Sequence, residues 1–165
     1  MHTISSPLHT TSFPTKEIYD LWNPILQCRS DNNDLDGCLE IRNILRESSV
    51  AINILIWEKI FLAAILTKPK KLKTQTYLSR SYLVPDLISL FHVMKIEDKI
   101  IPSMIIFKNC LNYFSQNDDT NKILEILKIM QNYEISIDQE ILKEIENMKS
   151  YNVILEYLES ISINL

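Results

Sequence analysis

Two tryptophans, Trp22 and Trp57, lie 35 residues apart in similar surroundings. A fixed period of that length constrains the fold more than any other feature of the chain. The residues run Leu21-Trp22-Asn23-Pro24-Ile25-Leu26 around the first and Ile56-Trp57-Glu58-Lys59-Ile60-Phe61 around the second, and Ile106-Phe107-Lys108-Asn109-Cys110-Leu111 makes a third copy. In each, an aromatic ring stands three and four residues ahead of an apolar pair, the spacing that stacks side chains on one helical face.

A second apolar helix follows each of these. Leu35, Leu39, Ile41 and Leu45 lead into Val50, and Ile123, Ile126 and Met130 lead into Ile135. The middle copy is stretched: Phe107 comes 50 residues after Trp57, 15 more than one period, and most of the excess sits between Thr67 and Leu83. Its second helix is legible in Asp86-Leu87-Ile88-Ser89-Leu90-Phe91-His92-Val93-Met94, with Pro85 suited to a first helical turn. The single glycine, Gly37, argues against both a tight-turned all-β chain and a phosphate-cradling glycine loop.

The pattern predicts an all-α chain of helix pairs at about 17–29 and 34–47, 53–66 and 85–96, 103–116 and 119–132, and 138–149 and 151–162. Asp118 and Asp138 are the expected N-caps. Residues 1–16 read as a flexible leader and 17–165 as one helical-repeat domain. Its units cover about 19–53, 54–103 with an insert at 67–83, 104–138, and a partial or capping unit at 139–165.

Several segments resemble the pentatricopeptide repeat family: Trp22-Asn23, Leu35-Asp36-Gly37-Cys38-Leu39-Glu40-Ile41 and the closing Ser49-Val50-Ala51-Ile52-Asn53. So do Phe107-Lys108, Leu124-Glu125-Ile126-Leu127-Lys128-Ile129-Met130 and Glu134-Ile135-Ser136-Ile137-Asp138, and, in the middle unit, Leu90-Phe91-His92-Val93-Met94 with Ile101-Pro102-Ser103. The family's closing glycine and the small alanine of its second helix are missing, so a tetratricopeptide-like or other α-solenoid is the alternative. The resemblance implies an α-solenoid of about three to four repeats that binds single-stranded organellar RNA, each unit reading a base with one first-helix residue and the last residue of the repeat. Carried over, the pairs are Asn23 with Asn53, Glu58 with Ser103, and Lys108 with Asp138. The family also implies a mitochondrial location and a role in transcript processing, stability or translation.

Charge pulls the other way. The chain has 17 basic and 21 acidic residues, a formal net charge of −4, whereas nucleic-acid affinity rests on cations facing phosphates. One basic run offsets this: Lys59, Lys68, Lys70, Lys71, Lys73 and Arg80 occur with no acidic residue between Lys59 and Pro85. Lys68, Lys70, Lys71, Lys73 and Arg80 in the insert are therefore the candidate phosphate contacts, with a solvated loop as the plain alternative. Tyr77 and Tyr82 in the same stretch are expected to pack inward, and Trp22, Trp57 and Phe107 are read as core anchors.

No catalytic set assembles by spacing. His92 sits in an apolar helix as a structural histidine, and Glu140, Glu144 and Glu146 read as a solvated face paired with Lys143. Cys28, Cys38 and Cys110 have no metal-ligand spacing and are expected to be reduced and in the core. The apolar stretch from Ile52 to Leu66 contains Glu58 and Lys59 and is too short for a membrane span. The expectation is a non-enzymatic adaptor without cofactor or small-molecule substrate. Its partner is single-stranded RNA or, alternatively, a protein or a larger ribonucleoprotein such as a mitochondrial ribosome.

Overall fold

A computed structural model describes residues 15–66 and 86–162. All regular structure among these is helical: α1 Thr15–Asp31, α2 Leu35–Glu47, α3 Ile54–Leu66, α4 Leu87–Glu97, α5 Met104–Gln116, α6 Thr120–Asn132, α7 Gln139–Lys143 and α8 Tyr151–Ser162. The described residues are therefore all-α as expected, and the boundaries of α2 to α6 fall within two residues of the predicted ones.

The same polar residues start the helices in successive units. Asp34, Asp86 and Asp119 cap α2, α4 and α6, accepting hydrogen bonds from Gly37 N–H, from Ile88 and Ser89 N–H, and from Lys122 N–H. Asn53, Ser103 and Asp138 do the same for α3, α5 and α7. Each carbonyl, carboxylate or hydroxyl oxygen satisfies backbone donors that a helix start leaves unpaired. The cap before α6 is thus Asp119 and not Asp118: Asp118 takes a left-handed φ of 55° at the end of α5, which leaves its neighbour to face the next helix.

Helix ends repeat as closely. Asn33, Ser49, Lys99, Asp118 and Glu134 all adopt φ of 55–57°, the left-handed conformation in which a helix commonly stops. The hydrogen bonds that accompany it are present after α2, where Ser49 N–H donates to Arg46 O and Val50 N–H to Leu45 O. After α6, Glu134 N–H donates to Gln131 O and Ile135 N–H to Met130 O. Ser49, Lys99 and Glu134 close these turns in a left-handed conformation without a glycine. Gly37 instead lies within α2, where a Cβ would come within 2.4 Å of the capping carboxylate of Asp34.

α3 is the hub of the packing, resting on α1, α2, α4 and α5, while α1 also packs on α2 and α5 on α6. Its many apolar residues suit that position, and Ile56, Trp57, Ile60, Phe61 and Ala63 are all buried. A chain of rings crosses the core: Trp57 to Phe61 at 6.0 Å, Phe61 to Phe91 at 4.6 Å, and Phe91 stacked on Phe107 at 5.2 Å. Trp57 and Phe107 are fully buried anchors, and Trp22 packs against the core only in part.

The last unit departs from expectation. In place of a helix over 138–149, α7 ends at Lys143, and the chain continues in tight turns where Glu144, Ile145 and Met148 N–H donate three residues back. That geometry still buries Ile141, Ile145 and Met148, so the apolar spacing that suggested a longer helix is satisfied by a tighter winding. Residues 1–14, 67–85 and 163–165 lie outside the described residues. The expectations for Pro85, Tyr77, Tyr82 and most of the leader fall there.

Candidate functional site

Asn23, Glu58 and Lys108 hold the same position in the first helix of their units, five residues after the capping site in the latter two. Asn23 is exposed on α1, and no hydrogen bond joins it to Asn53 among the described residues. The Asn53 side chain is spent on its cap: Oδ1 accepts the Ile56 N–H at 3.1 Å. Glu58 and Ser103 are brought together, but onto each other, with Ser103 Oγ donating to Glu58 Oε1 at 2.7 Å. Lys108 is paired with Glu140 rather than with Asp138. The hydrogen bond to Glu140, together with the charges of Glu140, Asp138 and Glu144, raises the Lys108 pKa above its ordinary value. Asp138 accepts from the Glu140 and Ile141 N–H groups at 3.0 Å.

These contacts have one consequence for the face. Its polar residues link neighbouring first helices, Glu58 on α3 to the cap of α5 and Lys108 on α5 to Glu140 on α7. The exposed side chains on these helices include both amides, Asn109 and Asn112 on α5, and aliphatic residues. Leu55 and Ile105, each two residues beyond its cap, are 58% and 56% exposed, whereas the very next residues, Ile56 and Ile106, are buried. Ile101, beside Ser103, is also exposed.

A second cluster, out of reach of any spacing argument, lies between units. Arg42 on α2 is buried and grips Asp98 with two hydrogen bonds, Nε to Oδ2 at 2.7 Å and Nη2 to Oδ1 at 2.9 Å. The indole N–H of Trp57 donates to the same Oδ2 at 2.9 Å, and the Arg42 guanidinium lies 5.1 Å from that ring's centroid. Nη2 also donates to Glu97 Oε2 at 2.8 Å, and Arg46 pairs with both acids. Burial presses the Arg42 pKa down, but the bonds to Asp98 and Glu97 outweigh it and leave the pKa raised. Arg42 donates to Glu97 and thereby holds that carboxyl below the usual carboxylate range. Sequence signs were present in the Arg42/Arg46 spacing of one helical turn and the Glu97-Asp98 pair. Nothing in them shows that positions 56 residues apart meet.

Other expectations fare differently. Cys38 and Cys110 are in the core as expected, and burial pushes the Cys38 thiol up to about 12 and Cys110 higher still, but Cys28 is exposed near the end of α1. His92 is exposed on α4 instead of packed within it. Among the described residues no group of His, Cys, Asp and Glu is arranged to hold a metal, and no helix is long and apolar enough to cross a membrane. Lys68, Lys70, Lys71, Lys73 and Arg80 lie outside the described residues. Comparison with protein-family models, with curated proteins and with solved structures finds no match for this chain.

Proposed function

We propose that the chain is a non-enzymatic helical-repeat adaptor, its helix pairs stacked as a short α-solenoid, and that its first-helix face receives a protein partner. The stacking is supported by the recurrence of caps, left-handed ends and aromatic anchors at matching positions, and by the contacts of α3 with both α1 and α5. One observation carries the choice of partner. Glu58 and Lys108, two of the three first-helix residues that would read bases, are engaged within the chain, and the aliphatic Leu55 and Ile105 stand exposed on the same two helices. Aliphatic side chains neither stack on bases nor meet phosphates, whereas protein interfaces are centred on such residues.

The test is purification from cells with and without nuclease, comparing the native chain with Leu55→Asp combined with Ile105→Asp. A protein that survives nuclease and is lost from the double variant is the expected result; both positions are exposed, and circular dichroism checks that the fold is kept. Partners recovered only while RNA is intact would sink the reading. Such a result would favour a second one, an organellar RNA adaptor acting in mitochondria, for which the acid-free basic run from Lys59 to Pro85 speaks. Under that reading, Lys70→Glu with Lys71→Glu weakens binding to every RNA sequence tested.

A further inference from the structure

Leu55 and Ile105 belong to a longer row. Asp20, Leu55, Ile105 and Glu140 each stand one helical register from the next: the first three lie two residues before Trp22, Trp57 and Phe107, and the last three lie two residues after the caps Asn53, Ser103 and Asp138. The helices that carry them follow one another in the packing, since α1 packs on α3, α3 on α5, and Lys108 bridges α5 to Glu140 at the start of α7. The bond between Glu58, one turn along from Leu55, and Ser103, two residues before Ile105, ties α3 to α5 within a turn of both central positions. Asp20 is exposed, and the Glu140 side chain is 70% exposed although Lys108 holds its Oε2. The row thus reads acid, apolar, apolar, acid.

Resting on the protein-partner reading above, we propose that this row is a docking track for a basic amphipathic helix, with aliphatic residues at its middle and Lys or Arg near both ends. Charge decides the ends: a cation fits against Asp20 and another against Glu140, competing there with Lys108. A second copy of this chain fits poorly, because a two-fold arrangement that apposes the apolar centres sets Asp20 of one copy against Glu140 of the other, acid on acid. An extended peptide fits poorly as well. Its unpaired backbone N–H groups would need a strand edge, and the row is built from helices whose backbone is already bonded. With helices spaced roughly 8–10 Å apart, three steps span about 27 Å, which matches about 18 helical residues.

The experiment uses the full chain and a fluorescein-labelled synthetic helix of that length, with leucines along one stripe and lysines at both ends, read by fluorescence anisotropy. Two control peptides carry glutamates for the lysines or a scrambled stripe. The expected result is binding of the lysine peptide that falls at least tenfold with Asp20→Lys plus Glu140→Lys, and at least tenfold with Leu55→Asp plus Ile105→Asp. The glutamate peptide should in turn gain affinity for the Asp20→Lys, Glu140→Lys chain. Should that variant misfold by circular dichroism, Asp20→Asn with Glu140→Gln replaces it, with a several-fold loss expected. Equal binding of all three peptides, affinity unchanged by the variants, or tighter binding of a labelled single-stranded RNA than of the lysine peptide each overturns the proposal. A cellular protein partner lost with Leu55→Asp and Ile105→Asp while no peptide binds would overturn the basic helix and leave the protein-partner reading standing.

Discussion

Glutamate 134 ends α6 with φ of 57°, a conformation that crowds the Cβ of any L residue against the backbone. The strain is about 1–2 kcal/mol per residue. Replacing Glu134 with glycine removes it and costs roughly 0.5–1 kcal/mol through the greater freedom of the unfolded chain, so a net gain of about 0.5–1 kcal/mol is expected. Glu134→Ala keeps the Cβ and gains nothing, which makes it the proper reference. Lys99 and Ser49 stand in the same conformation at the ends of α4 and α2, and a triple glycine variant should gain about 1.5–3 kcal/mol if the separate sites add. For a chain of this size each kcal/mol raises Tm by roughly 2–4 °C. Asn33 and Asp118 share the backbone conformation but are residues that tolerate it, so glycine there should do little. Urea denaturation followed by far-UV circular dichroism measures each step. Glycine variants no more stable than their alanine counterparts, or a gain at Asn33 equal to that at Glu134, would refute the account of these turns.

Asp98→Ala strips Arg42 of two hydrogen bonds, with the one to Glu97 kept, and leaves the Trp57 indole without its acceptor. The buried charge left behind costs about 3–5 kcal/mol, to be read by denaturation and, in a Trp22→Phe background, by Trp57 fluorescence; a loss under about 1 kcal/mol would mean the cluster is solvated. Glu97 titrates below its unfolded value near 4.5 because Arg42 donates to it. Its contribution is therefore present above that pH and declines as pH falls through the lowered value, and Glu97→Gln should flatten this part of the acid limb. Thiol titration of the folded chain should find Cys28 reactive, with Cys38 and Cys110 responding only in denaturant; rapid reaction of all three would contradict the burial of the latter pair.

Helices α2 to α6 were legible because aromatic anchors, apolar stripes and capping residues agreed on each boundary. Where one signal stood alone it misled. The spacing of Ile141, Ile145 and Met148 fits a full helix and a tight turn alike, and two consecutive aspartates, Asp118 and Asp119, cannot be told apart until one takes the left-handed conformation. The face was legible in register but not in chemistry. Glu58 and Ser103, paired by the resemblance as positions that read one base, bond to each other: a carboxylate and a hydroxyl that meet satisfy each other. Lys108 pairs with Glu140, while Asp138 caps α7. Arg42 and Asp98 were invisible as a pair, since charged residues usually remain solvated and only the fold selects the few that do not.

The Arg42 cluster has a bearing on how the molecule comes apart. A stack of repeats can in principle peel open one unit at a time, each opening governed by its own stability and one interface. Here the first helix pair cannot leave alone, because doing so would abandon Asp98 beneath the Trp57 indole with its guanidinium partner gone. The segments 15–66 and 86–98 should thus exchange their slowest amide hydrogens together, as a single cooperative block. The five-residue α7, with its tight turns, is held to α5 by the solvent-facing Lys108–Glu140 pair and not by a buried one, and residues 139–162 should exchange earlier, so that they set the order in which the molecule unravels.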